Sequence, residues 1–305
     1  MTPHVTFRQL QVFVAVARDG TVIAADHLKL SQSTISQSLS DLEHHLGVEL
    51  FERLGRRLQL NSMGSYLLPR AERLLEGMAD FVAVAEDPES QLQGTLNISA
   101  SATTGTYLLP PLAGYFSNQN PRVDLRLRLR NTGEVITDLL RFDADLGLIE
   151  GRCHESRLKS ETWCEDQLVI VCSPQHPLAK KAWLDDADIK AAGWILREPG
   201  SGTREVFEAA VLHHVERLQV RMELSQHEAI KQAVKAGLGL GCLSHRSVEG
   251  ELERGELVAL SSGLKLTRIF SLVWHPERYR SPLWQAFKVF LIDNHGNPLQ
   301  PGRPQ

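Results

Sequence analysis

The chain has 305 residues, is 42% hydrophobic and 23% charged, and carries a formal net charge of −4. That length accommodates two or three domains, and that balance belongs to a globular protein. The net charge excludes a polycation that would bind nucleic acid through bulk charge, so any such binding must come from a local surface.

No apolar run approaches the length of a membrane span, so no membrane partner is expected. The opening "MTPHVTFRQL" lacks a basic region followed by an apolar stretch and reads as no signal peptide. The cysteines Cys153, Cys164, Cys172 and Cys242 show no Cys-x-x-Cys spacing. Cys172 and Cys242 sit in apolar, strand-like surroundings and read as core. A reducing cytoplasm is the expected compartment.

Residues 4–60 read as short helices. Phe7, Leu10, Phe13, Val14 and Ala17 recur with helical spacing and stop at Asp19-Gly20. A second helix carries Ala24, Ala25 and Leu28, and Ser31 caps a third. Two helices joined by a tight turn make a helix-turn-helix. In the third, Ile35, Leu39, Leu42 and Leu46 form an apolar stripe, and the opposite face presents Gln32, Ser33, Ser36, Gln37 and Ser40. Glutamine can bond bidentately to adenine in the major groove, and serine serves base edges or phosphates. Alone, such a face is ordinarily just solvated. Its neighbours favour DNA: Gly55 turns a short hairpin with Arg53, Arg56 and Arg57 at its tip, a wing suited to phosphates or the minor groove.

An amphipathic pattern from Met63 to Glu86 carries Leu67, Leu68, Ala71, Leu74, Leu75, Met78, Phe81, Val82 and Ala85. A long helix between domains must bury that stripe, and a second copy of itself is the natural partner. The stretch "EDPESQLQG" reads as a hinge. From Leu92 on, strand patterns such as "TLNISAS", "VDLRLRLR", "ADLGLIEG", "QLVIVCS" and "LGLGCLS" alternate with helical segments near 133–141, 203–217 and 226–236. Strand–helix alternation over about 200 residues predicts two small α/β lobes.

The segment "FRQLQVFVAVARDGTVIAADHLKLSQSTISQSLSDLEHHLGVELFERLGRRLQLNSMGSYLLPRA" resembles the N-terminal domain of LysR-type transcriptional regulators, through "AADHL", "SQSTIS", "LEHHLGVELFER" and "LNSMG" in that order. The resemblance extends over roughly residues 5–292. It implies an α+β multidomain fold: a winged helix-turn-helix at 1–62, a linker and dimerisation helix with hinge at 63–91, and a two-lobed α/β effector domain of periplasmic-binding-protein type. Lobe I would take 92–163 and 268–292, lobe II 164–267, and 293–305 would be a disordered tail. By family pattern, Gln32, Ser33, Thr34, Ser36, Gln37, Arg53, Arg56 and Arg57 contact DNA. Many relatives have arginine at Gln37, which leaves phosphate attraction to Lys29 and the wing.

In the second half, "SASATTGTYLLPP" puts Ser99, Ser101, Thr103 and Thr104 before one helix, and "LREPGSGTREVFE" puts Ser201 and Thr203 at the start of another. Helix starts attract anions, although ordinary capping also explains a hydroxyl there. Two such starts, one per lobe, favour a shared cleft for a small oxyanion. "IEGRCHES", "LREPGSGTRE" and "HEAIKQAVKAGLGLGCLS" are similar to the branch linked to sulfur assimilation and sulfite or sulfate sensing. That likeness implies effector contacts from Ser101, Thr103, Thr104, Ser201 and Thr203, with Thr132 and His227 lining the cleft. Glu150 is awkward as an effector contact: a carboxylate repels an oxyanion unless protonated or paired, and Arg197 or Arg204 is the expected partner, so it reads equally as a ligand-discriminating residue or as a structural cap partner.

No catalytic residue, cofactor or metal set is expected. "GLGLG" at 237–241 reads as a turn from helix to strand rather than a dinucleotide loop, and the adjacent pairs His44-His45 and His213-His214 on helices are poor chelators. The expected partners are a double-stranded DNA operator, a small anionic effector and further copies of the chain, as dimer or tetramer, with RNA polymerase a candidate. Two alternatives stay open: a solute-binding protein, or an enzyme working in the cleft. The DNA-reading helix and the lack of a signal peptide argue against the first. The lack of an acid–base pair or nucleophile set argues against the second.

Overall fold

A computed structural model describes residues 5–54, 57–86 and 92–294, with backbone alone for residues 53, 54, 57, 80 and 83–86. The chain divides into two compact units, 1–90 and 91–305.

In the first unit, α1 (Phe7–His27) starts on a Thr6–Gln9 capping box, and α2 (Gln32–Leu46) starts on Ser31, whose hydroxyl accepts from the Thr34 N–H at 3.1 Å. The expected break at Gly20 takes the form of a kink inside α1: Gly20 sits at φ +79° and ψ 167°, a conformation only glycine adopts without strain. α2 ends on Gly47 in the left-handed region. A hairpin follows, β1 (Phe51–Leu54) antiparallel to β2 (Arg57–Leu60), and then α3 (Ser62–Glu86).

Val12, Phe13, Val16, Ile35, Leu39, Leu42, Leu50 and Ala71 form the core of this unit, with Phe13 and Phe51 edge to face at 5.7 Å. Leu46 stands outside it, exposed at the end of the stripe. Glu43 accepts the N–H groups of Leu50 and Phe51 at 2.7 and 3.2 Å, which fixes how the chain enters the hairpin. Arg18 reaches Glu72 at 2.7 Å and ties α1 to α3. Leu67, Leu68 and Ala71 pack on this core, whereas Tyr66, Leu74, Met78, Phe81 and Val82 are exposed, so α3 carries an uncovered apolar face.

In the second unit, β3 (Gly94–Ser101), β4 (Val123–Arg130) and β5 (Leu146–Glu150) pair in parallel, with β3 in the centre. A π-helical turn, Thr104–Leu108, runs straight into α4 (Leu109–Gln119), and α5 (Thr132–Leu140) opens on an Asn131–Glu134 capping box. β6 (Lys159–Cys172) is 14 residues long. Its tryptophan-bearing first half and its aliphatic second half lie in different cores.

The remaining elements are α6 (Asp186–Ala191), β7 (Gly193–Leu196), α7 (Gly202–Val211), β8 (Gln219–Glu223), α8 (His227–Lys235), β9 (Leu240–Ser244), α9 (His245–Glu253), β10 (Val258–Leu260), β11 (Thr267–Trp274) and α10 (Pro282–Asp293). Strand order is β4-β3-β5-β11-β6-β9-β7-β8, with β10 beside β6. β11 and β6 are antiparallel and each spans both sides of the unit: β11 pairs β5 through Phe270–Val273, and β6 pairs β9 through Leu168–Val171. One core holds Leu96, Ile98, Leu112, Phe116, Trp163, Phe270 and Phe287, and another holds Ile170, Trp194, Phe207, Leu240 and Cys242.

Residues 164 and 268 fall inside β6 and β11, so those chain positions belong to strands shared by both sides. The expected reach of one helix is corrected: α7 ends at Val211 rather than near 217, which leaves His213 and His214 in a turn and not on a helix. α10 runs to Asp293, the first residue of the segment expected to be a disordered tail, and residues from 295 on lie outside the described ones. "GLGLG" forms a turn, with Gly237 at φ +78° and β9 beginning at Leu240.

Candidate functional site

On α2 the amphipathic split holds residue by residue. Ile35, Leu39 and Leu42 are buried, and Gln32, Ser33, Thr34, Ser36, Gln37 and Ser40 are all exposed. The helix start is a hydroxyl cluster: Ser31 Oγ lies 2.7 Å from Ser33 Oγ and 2.8 Å from Thr34 Oγ1. Gln37 donates to Asp41 at 2.7 Å, so its amide is held along its own helix, whereas Gln32 stands exposed on the first turn. Lys29, exposed at φ +54°, stands in the turn before the helix. The wing strands meet in register Leu54↔Arg57. Arg56 and the side chains of Arg53 and Arg57 lie outside the described residues.

In the second unit, the chain brings three of the expected effector contacts onto one guanidinium. Arg268 Nη1 donates to Glu150 Oε2 at 2.7 Å and to Thr203 Oγ1 at 2.9 Å, Nη2 donates to Thr103 Oγ1 at 3.0 Å, and Nε donates to Asp166 Oδ2 at 2.7 Å. Glu150 also accepts the Thr103 N–H at 2.7 Å and the Thr203 hydroxyl at 2.8 Å. The expectation that Arg197 or Arg204 pairs with Glu150 is thereby corrected. Arg197 pairs with Glu198 and donates to His227 Nε2 at 2.9 Å, and Arg204 pairs with Glu208 and Glu223.

The other candidates take separate places. Thr104 donates to the Ser101 carbonyl at 3.0 Å and the two hydroxyls lie 3.1 Å apart. Ser99 donates to Asp138. Thr132 lies 3.4 Å from the Glu150 carbonyl. Ser201, at the N-cap of α7, makes no capping bond; the residue is 1% exposed, yet its hydroxyl has no partner among the described residues.

The starts of α5 and α7 touch directly: Gly133 N–H donates to the Gly200 carbonyl at 3.2 Å. A Cβ on Gly202 would lie 2.3 Å from the Glu150 carbonyl oxygen, so glycine there is what allows α7 to reach the end of β5. Beside this cluster opens a cavity of about 190 Å³, lined by Tyr107, Arg130, Arg197, Glu198, His227 and Glu228 among others. Ser101, Thr103, Thr104, Ser201 and Thr203 are buried and outside its lining.

Residues 7–65 match the family described as bacterial regulatory helix-turn-helix protein, lysR family, and residues 89–295 match LysR substrate binding domain. The chain is a LysR-type transcriptional regulator. This LysR-type regulator is 39% identical over 289 residues to the uncharacterized HTH-type transcriptional regulator YeiE of Escherichia coli strain K12, covering 94% of this chain and 96% of that one. It is 33% identical over 309 residues to a probable RuBisCO transcriptional regulator of Synechocystis sp., covering 98% and 90%. Its fold is that of a full-length OxyR variant from Pseudomonas aeruginosa, with TM-score 0.74, 22% identity and 99% of each chain covered. It is also similar to the Synechocystis PCC6803 CcmR regulatory domain in complex with 2-PG, with TM-score 0.61, 28% identity, and 67% and 99% covered. As a LysR-type regulator it combines a DNA-binding unit with an effector-binding unit and is not an enzyme. Among the described residues, no helix is long and apolar enough to cross a membrane.

Electrostatics sharpen the cleft of this regulator. Burial opposes charge on Glu150, but Arg268, the Thr103 amide and Arg197 outweigh it and hold the carboxyl well below the usual carboxylate range. Burial pushes His227 down to about 4, with Arg197 and Arg268 acting in the same sense against Glu150. A neutral His227 is what its contact requires, because Nε2 must accept from an arginine that can only donate. Burial also raises the thiols: Cys164 and Cys172 to about 11 and Cys242 to about 12.

The sequence pattern marks neither Arg268 nor Asp166. Asp166 follows Glu165 and Arg268 follows Thr267 near the polar ends of strand patterns, where charge normally marks a wet face, and nothing local shows that both side chains turn inward.

Proposed function

We propose that this regulator reads a pseudo-palindromic operator with the exposed face of α2, and that a small oxyanion such as sulfite or sulfate, held between its two lobes, modulates that reading. Gln32, Ser33, Thr34, Ser36 and Gln37 face base edges and nearby phosphates, and Lys29, Arg53, Arg56 and Arg57 supply phosphate contacts. The uncovered apolar face of α3 supports a dimer joined along that helix, and pairs of dimers follow the family pattern. The protein works in the cytoplasm, with RNA polymerase a candidate partner.

The lobes are 92–163 with 268–292, and 164–267, and Ser101, Thr103, Thr104, Thr132, Glu150, Ser201, Thr203 and His227 surround the effector. The observation that carries this reading is the meeting of two hydroxyl-bearing helix starts on one buried guanidinium, next to the buried Ser201 hydroxyl that no described residue satisfies. The ligand acts by binding one arrangement of the lobes better than another.

Fluorescence anisotropy with the DNA upstream of the protein's own gene, titrated with sulfite, sulfate and thiosulfate, tests it. Saturable operator binding that shifts with at least one anion is the expected result. No operator binding removes the DNA reading. Binding that ignores all three anions removes the effector reading.

A further inference from the structure

A carboxylate beside an anion site is an obstacle, and Glu150 stands in the middle of the hydroxyl cluster. We propose that Arg268 is the positioning residue of the cleft: it turns the Glu150 carboxylate inward and leaves the Thr103 and Ser201 hydroxyls as the donors an anion meets. This rests on the effector reading above.

Which hydroxyl protons are already committed decides the matter. Guanidinium only donates, so Thr103 Oγ1 accepts from Arg268 Nη2 and keeps its own proton for a ligand. Thr203 also accepts from Arg268, but its proton goes to Glu150 Oε2, so it has nothing left to offer. Thr104 donates to the Ser101 carbonyl, so in the Ser101–Thr104 pair it is Ser101 that donates, and both protons are engaged. Ser201 is the remaining hydroxyl, buried and without a partner among the described residues, at the start of the ten-residue α7. Of the five expected hydroxyl contacts, two therefore keep a proton to give.

Arg268 is placed to impose this order. It lies on β11 directly across from Asp166 on β6, the strand whose two halves lie in different cores. Its side chain is 1% exposed, as are those of Glu150 and Asp166. The groups facing Glu150 are Arg268 from β11, Arg197 after β7, His227 at the start of α8, and the Thr103 amide. Those facing Asp166 are Arg268, the Ser244 hydroxyl at 2.8 Å and Arg246 at 3.7 Å. Asp166 thus keeps a second cation when Arg268 is removed, and Glu150 loses its one direct ion pair among the described residues. A buried carboxylate without that pair takes up a proton at higher pH or swings into the cleft.

The test uses the full chain and calorimetric titration with sodium sulfate and sodium sulfite from pH 5 to 8. In R268M, binding falls at least tenfold at pH 8 and recovers as the pH is lowered. R268M/E150Q restores affinity to within about threefold and removes the pH dependence, whereas R268M/D166N restores neither. R268K keeps the charge without the planar fork and loses about tenfold. It decides the question if R268M does not fold. Wild-type affinity in R268M or R268K, or equal rescue by D166N, overturns the assignment.

If the wild type binds neither anion, the effector reading fails by itself and thermal melts of the same proteins decide the role of Arg268. Glu150 with a raised folded-state pKa contributes stability that is lost as pH rises through that value. Because His227 lowers every variant at pH 5, the comparison is between variants: on going from pH 5 to pH 8, R268M must lose melting temperature relative to R268M/E150Q. Parallel pH profiles of R268M and R268M/E150Q overturn the proposal.

Discussion

Arg268 and Glu150 are 118 positions apart in the chain and 2.7 Å apart in space, each with a side chain 1% exposed. Bringing two charges out of water is costly, and a buried pair persists only where further hydrogen bonds satisfy both groups. Here Thr103, Thr203 and Asp166 supply those bonds. Thr103 belongs to the β3–α4 connection, Thr203 to α7 and Asp166 to β6. The pair thereby couples the relative placement of these elements to the state of one carboxylate.

Gly202→Ala should disturb that coupling without touching a charge. The new methyl would sit 2.3 Å from the backbone oxygen of Glu150, which cannot rotate away, and 2.7 Å from Glu150 Cβ. Overpacking of this kind costs about 1–3 kcal/mol. Calorimetric melting should show the effector unit's transition lowered by several degrees, and the anion response in operator titrations should be lost, while operator binding without anion persists. An unchanged melt would mean that α7 does not need this close approach.

Stability should fall in mild acid because of His227. Its folded-state pKa, about 4, lies below the ordinary value of 6.5, so the unfolded chain binds more protons between those limits. Stability therefore decreases as the pH drops from 6.5 to 4, by about 3 kcal/mol in all. Urea titrations of the wild type and of His227→Gln across that window check this. The glutamine variant should lose most of the slope, and parallel curves would assign the acid sensitivity to other groups.

Much of the architecture is legible in the sequence because its signals are local. The four-three-four stripe of α2, the stop at Gly20 and the Gly237 turn are each written within a few residues. Hydroxyls at helix starts are equally visible, since capping chemistry is short-range. What they do is not. Thr203 and Thr103 read alike in sequence, yet one gives its proton to Glu150 and the other keeps it. The difference comes from Arg268, whose partners lie 165, 118, 102 and 65 positions away. Sequence proximity points Glu150 to Arg197 or Arg204, the arginines nearest the second hydroxyl cluster. Each of those is already held by acids on its own side of the unit. The end of α7 at Val211 is hidden because its apolar pattern runs on through Leu212 and Val215, although Val215 joins the core from irregular chain.

The thiols should be inert. Burial raises Cys164 and Cys172 to about 11 and Cys242 to about 12, and Cys153 is raised as well. A thiol at 11 is thiolate to the extent of roughly one part in several thousand near neutral pH, and the thiolate is the reacting form. Native protein at pH 7.5 should react with iodoacetamide far more slowly than free cysteine, and operator binding should survive mild peroxide. Fast labelling of any one cysteine, read by mass spectrometry, would contradict this.

The two kinds of DNA contact should separate under salt. Lys29 carries a charge in the turn before α2 at φ +54°, so Lys29→Asn removes the charge while keeping a residue that tolerates that backbone. If Lys29 meets a phosphate, affinity should fall for every duplex alike and the slope of log affinity against log salt should shrink by about 1. Gln32 is exposed on the first turn of α2 and carries no charge. Gln32→Ala should leave the slope unchanged and cost about 1–3 kcal/mol of discrimination at one base pair per half-site. Titrations of operator and point-substituted operators at several salt concentrations measure both quantities. A Gln32 variant that weakens all sequences equally, or a Lys29 variant that changes base preference, would reverse the roles given to the turn and the helix.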